Sequence, residues 1–308
     1  MIFSAHATSA AIELLVECPA DPFYQPQLDP CNPMGYIASN TWTGITVGAV
    51  LIVATIQLVL VLRQGARWML LMVAGLYTYV VGFGFRFALH STPDSLGIYI
   101  TQYLLIVLSP CASIAANYVL LGRLAGSLRC EEHILFPVQR LTLTFVASDV
   151  TTFLIQAVGG GLMAEDNVSI ASAASHVFLA GLVLQLASFA VFTFIFALFL
   201  WRVCKREPQV WARDRMHYKT HRTMLGRAMR WMNDWRLLAG ALGISCVGIL
   251  IRSSYRVAEI SHVFHGGIFS SELYFYAFDT LPLFMAAAVY VPCFPGRFLE
   301  NRAGRRLF

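Results

Sequence analysis

Stretches of the chain covering 40–62, 68–89, 96–121, 141–163, 176–201, 237–259 and 271–291 are dominated by apolar residues. Each is about 20 or more residues long, enough for a helix to cross roughly 30 Å of hydrocarbon. The polar positions between them gather in short segments. The longest, 202–236, is patterned for a helix from Met224: Met224, Leu225, Ala228, Trp231, Met232 and Trp235 share one face, and Lys219, Arg222, Arg227 and Arg230 the opposite one. Such a helix suits the membrane interface, with its rings among the headgroups. A solvated charge run leading into the sixth span is the plainer alternative. The pattern predicts an all-α polytopic membrane protein of seven transmembrane helices. A short segment over 1–39 precedes a bundle over 40–292, and a basic tail covers 293–308.

Composition agrees, at 57% hydrophobic and 13% charged residues, with a mean hydropathy of +0.64. The charge pattern adds orientation. Of 22 Lys and Arg, only Arg86, Arg252 and Arg256 lie in spans, and the other 19 fall on one side of the membrane when the amino terminus is outside. The positive-inside bias therefore puts the carboxyl terminus in the cytosol. The net charge of +5 resides in the cytoplasmic segments. It points to anionic inner-leaflet lipid at the third cytoplasmic loop, and not to nucleic acid.

Residues 1–39 contain no Lys or Arg, and Glu13 interrupts their mildly apolar run, which argues against a cleaved signal and for a short extracellular segment. Cys18 and Cys31 fall in it; an oxidising exterior permits a disulfide between them, and two cysteines this far apart also stay unpaired. Asn167-Val168-Ser169, in the outer loop after the fourth span, is a glycosylation sequon.

Candidate chemistry lies inside the spans. Arg86, Asp149, Arg252, Arg256, Glu259, Glu272 and Asp279 are ionisable and expensive in hydrocarbon, so they face the bundle interior and pair or serve function. Arg252, Arg256 and Glu259 share a helical face by their spacing, as do Glu272, Tyr276 and Asp279. Depth counting matches Arg252 with Asp279, and Arg256 or Glu259 with Glu272. With Gln102 and Gln156, most of these groups occupy the outer half. They form either an ion-pair lattice that joins helices or a polar cavity for an amphiphile headgroup. Asp149 alone sits in the inner half, as a candidate proton or polar relay or a bond to a neighbouring helix. Gly159-Gly160-Gly161 allows close backbone approach or an unwound helix end, and Pro110 predicts a kink and a freed carbonyl.

Other seven-helix functions are excluded by missing residues. The lysines are Lys205 and Lys219, both cytoplasmic, so no retinal Schiff base forms in the membrane. The third span ends Leu121-Gly122-Arg123 without the acidic-arginine pair of G-protein-coupled receptors. His262 and His265 lie near the outer surface within reach of Glu259, Glu272 and Asp279, but this spacing is common and no metal site is assigned. No catalytic group or cofactor is assigned either.

The series Gln102, Pro110, Ala115-Ala116-Asn117-Tyr118, Leu121-Gly122-Arg123 resembles the third-helix motif of the fungal lipid-translocating exporters of the aminocholesterol-resistance type. Asp149-Val150, Gln156 and the glycine triplet resemble their fourth helix, and Gly181-Leu182 with Gln185 their fifth. Arg252-Ser253-Ser254-Tyr255-Arg256-Val257-Ala258-Glu259, Gly266, Glu272, Tyr276, Asp279 and Pro295-Gly296 complete the ordered series. One departure is Tyr79, where the family usually has a glutamate. The resemblance implies a multi-pass protein of the plasma membrane or endomembranes that releases or translocates sphingoid long-chain bases or other toxic amphiphiles. The expected function is a translocator, with Arg86, Gln102, Gln156, Gln185, Arg252, Arg256, Glu259, Glu272, Tyr276 and Asp279 as its substrate path. The alternatives are a lipid-binding receptor or stress sensor signalling through the third loop and, third, a membrane-embedded lipid hydrolase.

Overall fold

The computed structural model describes residue 34 and residues 36–128, 138–163, 168–206, 235–263 and 272–298. Cys18, Cys31, Asn167, His265 and nearly all of the third loop lie outside the described residues. Every regular element among the described residues is helical. Helix α1 covers Asn40–Gln64 and stops at Gly65, whose φ of 75° is left-handed and sterically open to glycine. One 3₁₀ turn, Arg67–Met69, leads into α2, Leu70–Ser91. Helices α3 (Leu96–Leu128), α4 (Val138–Leu162), α5 (Val168–Arg206) and α6 (Trp235–Val263) follow. The last run, α7, joins Glu272–Tyr274, a π-helical stretch Phe275–Thr280, and Leu281–Ala288.

Among the described residues, 6 helices (α1 to α6) are long and apolar enough to span a membrane. The seventh expected span, 271–291, is built as the shorter and interrupted α7. Its interruption has a local cause. Pro282 has no N–H to give to the carbonyl four residues earlier, and the Leu281 N–H bonds instead to Tyr276 O, five residues back.

Helices adjacent in sequence pack on one another, α7 returns to α1, and α3 also meets α6. Helix α3 is therefore the innermost: 61% of its most apolar window is buried, against 33% for α1 and 22% for α4. The outward faces are also apolar. Leu143, Val150, Leu154 and Val158 repeat along one exposed face of α4, as hydrocarbon contact requires. Small residues let the backbones meet: a Cβ on Gly75 of α2 would lie 2.6 Å from Ser109 O, and one on Gly159 of α4 would lie 2.9 Å from Phe178 N of α5. Close approach is therefore observed at Gly159, and α4 stays helical through the triplet and terminates directly after it, at Leu162.

Each of the six helices runs past at least one of its expected limits, α3 and α5 furthest. Helix α3 continues to Leu128, burying Leu124, Ala125 and Leu128, with the Arg123 guanidinium 5.6 Å from the Trp68 ring centre. Helix α5 has 39 residues, about 58 Å at 1.5 Å per residue. Helix α6 begins at Trp235. The start of the expected tail is docked, since Phe294 and Phe298 are buried in the main apolar core.

Candidate functional site

The polar groups of α2, α3, α6 and α7 converge near the end of the bundle at which α1 and α3 begin, termed here the upper end. At its centre Asp279 has no exposed surface. Arg252 Nη1 donates to its Oδ2 at 2.9 Å, and Arg256 Nε donates to its Oδ1. Arg256 Nη1 also reaches Glu259 Oε2 at 2.9 Å, one turn along α6. The π-helical stretch turns Asp279 onto both arginines. The expected pairing of Arg252 with Asp279 is observed.

Glu272 pairs differently from the depth count. Its Oε1 accepts from Arg86 Nη2 at 3.1 Å and from the Ser39 backbone N–H at 2.9 Å. Depth fixes height along a helix but not direction around it, and the wider π turn separates Glu272 in azimuth from Asp279. Arg86 Nη2 also donates to the Tyr36 hydroxyl at 3.0 Å, and its guanidinium stands 4.7 Å from the Phe275 ring centre. Tyr36 lies ahead of α1, and burial pushes its phenol above the ordinary value against the opposing charge of Arg86. It therefore stays protonated and accepts the arginine's hydrogen bond. Tyr276 lies over the same guanidinium, 5.7 Å from its ring centre, with its hydroxyl 3.3 Å from Thr43 Oγ1.

The carbonyl freed by Pro110 is used. Arg252 Nη2 donates to Ile106 O, the carbonyl four residues before the proline, and Ser109 Oγ donates to the same atom at 3.0 Å. Thus one arginine ties the Pro110 site of α3 to Asp279 of α7. Tyr79 stands over Arg252 with its ring centre 5.3 Å away, and its hydroxyl donates to Thr280 Oγ1 at 3.0 Å. The three arginines and three carboxylates of this lattice are equal in number, so it is neutral when all are ionised. Several polar atoms in it are buried and uncommitted: Arg86 Nε, Arg256 Nη2, Gln102 Oε1 and the Tyr103 hydroxyl.

Gln156 and Gln185 belong to a separate pair. Gln156 Nε2 donates to Gln185 Oε1 at 2.7 Å, and Gln185 Nε2 to Cys111 Sγ at 3.1 Å, which links α4, α5 and α3. A third polar node was marked only as part of a motif: Asn117 donates to Ser245 Oγ at 3.0 Å and accepts from the Tyr290 hydroxyl at 2.8 Å. An asparagine in mid-span was the available signal. Tyr36 and Ser39 carried none, because they lie outside every span. Among the described residues, no three His, Cys, Asp or Glu side chains gather as metal ligands.

Residues 72–302, most of the chain and all of this lattice except its contacts ahead of α2, match the family model described as "RTA1 like protein". The chain belongs to the RTA1-like family. It is 33% identical to "Protein RTA1" of Saccharomyces cerevisiae over 221 residues, 72% of this chain and 63% of that one. It is 30% identical to "Protoporphyrin uptake protein 1" of the same yeast, covering 68% of this chain and 63% of that protein. The yeast "Sphingoid long-chain base transporter RSB1" is 24% identical over 247 residues, 73% of this chain and 63% of that one. The chain thus spans less than two thirds of the length of these relatives. No solved structure matches. The expected family and the multi-pass membrane character both hold for this RTA1-like chain.

Within the RTA1-like lattice, the exposed edge should matter less for folding than the centre. Glu272 is 22% exposed, and E272Q keeps an acceptor for Arg86 and Ser39, so a loss of about 1–2 kcal/mol is expected, typical of a charged hydrogen bond made neutral. Thermal melting of the purified protein in detergent measures it. A loss as large as that of a change at Asp279 would contradict the centre-and-edge arrangement.

Proposed function

We propose that the chain is a seven-span translocator of cationic amphiphiles, with sphingoid long-chain bases as the class, in the plasma membrane with its amino terminus outside. The observation that carries the reading is the unequal exposure of the three carboxylates. Asp279 is sealed between two arginines, whereas Glu259 and Glu272 keep 21% and 22% of their side chains exposed. An incoming amine therefore meets Glu259 or Glu272, each already oriented by a buried arginine. The uncommitted Gln102 Oε1 and Tyr103 hydroxyl suit the hydroxyl groups beside such an amine. The likeness to the yeast "Sphingoid long-chain base transporter RSB1" supports the substrate class. The basic third loop, read with anionic inner-leaflet lipid, belongs to the same proposal.

The test is flip of a fluorescent sphingoid base in liposomes that contain only the purified protein. The E259Q/E272Q double variant removes both accessible charges. A loss of one charge-assisted contact of about 1.5–3 kcal/mol corresponds to a flip rate lower by roughly tenfold or more. A folded double variant with the wild-type rate would overturn the assignment of these two carboxylates. No flip by the wild type, with saturable binding of the same base, would favour a sensor acting through the third loop. Cleavage of the lipid would favour a hydrolase.

A further inference from the structure

One ionisable group of the spans stands apart from the lattice. Asp149 of α4 is 4% exposed, and neither carboxylate oxygen has a hydrogen-bond partner. The Tyr118 hydroxyl of α3 and Ser188 Oγ of α5 lie beside it and are likewise buried and uncommitted. Four buried hydrogen-bonding atoms from three helices thus meet, with the Tyr118 and Ser188 hydroxyls as the groups placed to bond the carboxylate. Among the described residues, the groups that face the carboxylate are Tyr118 and Cys111 from α3 and Ser188 from α5, and no basic side chain is among them. Ionised, the carboxylate stands in hydrocarbon without the guanidinium that each of the three lattice carboxylates has. Buried polar groups are ordinarily hydrogen-bonded, and here two hydroxyls stand ready to serve either the acid or the carboxylate. Asp149 is left able to take a proton and to release it.

A polar track leads upward from it. Cys111 lies within electrostatic reach of both Asp149 and Arg252, and it accepts from Gln185, which in turn accepts from Gln156. The track joins the lower site to the lattice through α3, the innermost helix. We propose that Asp149, with the hydroxyls of Tyr118 and Ser188, is a proton-binding site whose loading and release is coupled to translocation. One proton enters from one aqueous face, converts the carboxylate to the acid, and leaves to the other face; no other bond changes. Ser188 and Tyr118 are positioning residues for that proton.

This inference rests on the translocator reading, so two readouts are needed. In liposomes the probe is a fluorescent quaternary-ammonium amphiphile, whose charge does not change with pH and which no pH gradient redistributes by itself. An imposed pH gradient should change its flip rate with the wild type. In D149N the response should be lost, and in D149E it should return in part. Infrared difference spectra of the same membranes across the pH range should contain the carbonyl band of a protonated carboxylic acid, absent from D149N. A gradient response equal in D149N and wild type would overturn the proposal. So would a band that does not change with pH, which would make Asp149 a permanently neutral acid. If the wild type flips no lipid, the translocator reading fails while the infrared band still decides whether Asp149 binds a proton. If D149N does not fold, Y118F and S188A take its place, with a displaced titration of the band expected and an unmoved one overturning the proposal.

Discussion

D279N should be the most damaging single substitution in the bundle, with a loss of about 3–5 kcal/mol, the usual result of removing one partner of a buried ion pair. Asp279 neutralises two guanidinium groups, Arg252 and Arg256, and all three side chains are at most 3% exposed. The amide keeps the shape and one acceptor oxygen but places an amino group against an arginine. A buried positive charge is then left over. The same argument gives a diagnostic rescue. R256Q/D279N restores equal numbers of charges, so the double variant should be more stable than D279N alone. Thermal melting in detergent, with the yield of monodisperse protein, measures both. A double variant that loses the sum of the two single losses would show that charge balance does not hold this lattice together.

G248A should also be strongly damaging, and its cause is steric. A Cβ on Gly248 of α6 would lie 2.6 Å from Pro282 O and 3.2 Å from Ala286 Cβ, both on α7. A carbonyl oxygen inside a helix has no rotamer through which to retreat, so α7 must move away as a body. Overpacking of this kind typically costs about 1–3 kcal/mol. Pro282 lies three residues beyond Asp279, so the displacement also lengthens the bonds from Arg252 and Arg256. G240A is the control: nothing stands within 4 Å of its added Cβ, and alanine in place of glycine in a helix interior should raise stability by up to about 1 kcal/mol. Equal melting shifts for the two would remove the packing argument.

Membrane segments were legible because hydropathy needs only a window of sequence. Six of them are present as helices of sufficient length, and the ordered motifs pointed to the right family. The chemistry of the lattice was legible in kind, since charged groups in hydrocarbon must pair. Which groups pair was legible only where azimuth and depth agreed, as for Arg252 with Asp279. It failed at Glu272, because the regular spacing of Glu272, Tyr276 and Asp279 assumes an α-helix and the chain forms a π turn there. Pro282 was the available signal, though a proline alone does not say whether a helix kinks, ends or widens. Pro110 shows the same ambiguity: the freed carbonyl was legible, but not its partner on another helix. Tyr79 was legible only as an absent carboxylate. In the fold its hydroxyl donates to Thr280 Oγ1 and reaches Asp279 Oδ2 at 3.4 Å, and its ring stands over Arg252. The ends of helices were the least legible. Leu124 to Leu128, Phe294 and Phe298 are buried by tertiary contact, beyond the limits that hydropathy sets.

The equal numbers of cations and anions in the upper lattice have an electrical consequence. An unpaired charge carried across a membrane potential experiences about 2.3 kcal/mol per 100 mV. With all of them ionised, the arginines and carboxylates of α2, α6 and α7, moving together, carry no net charge and so do no net electrical work. A resting potential therefore cannot throw these helices from one position to another. Its pull on the protein is confined to whatever charge lies outside the lattice.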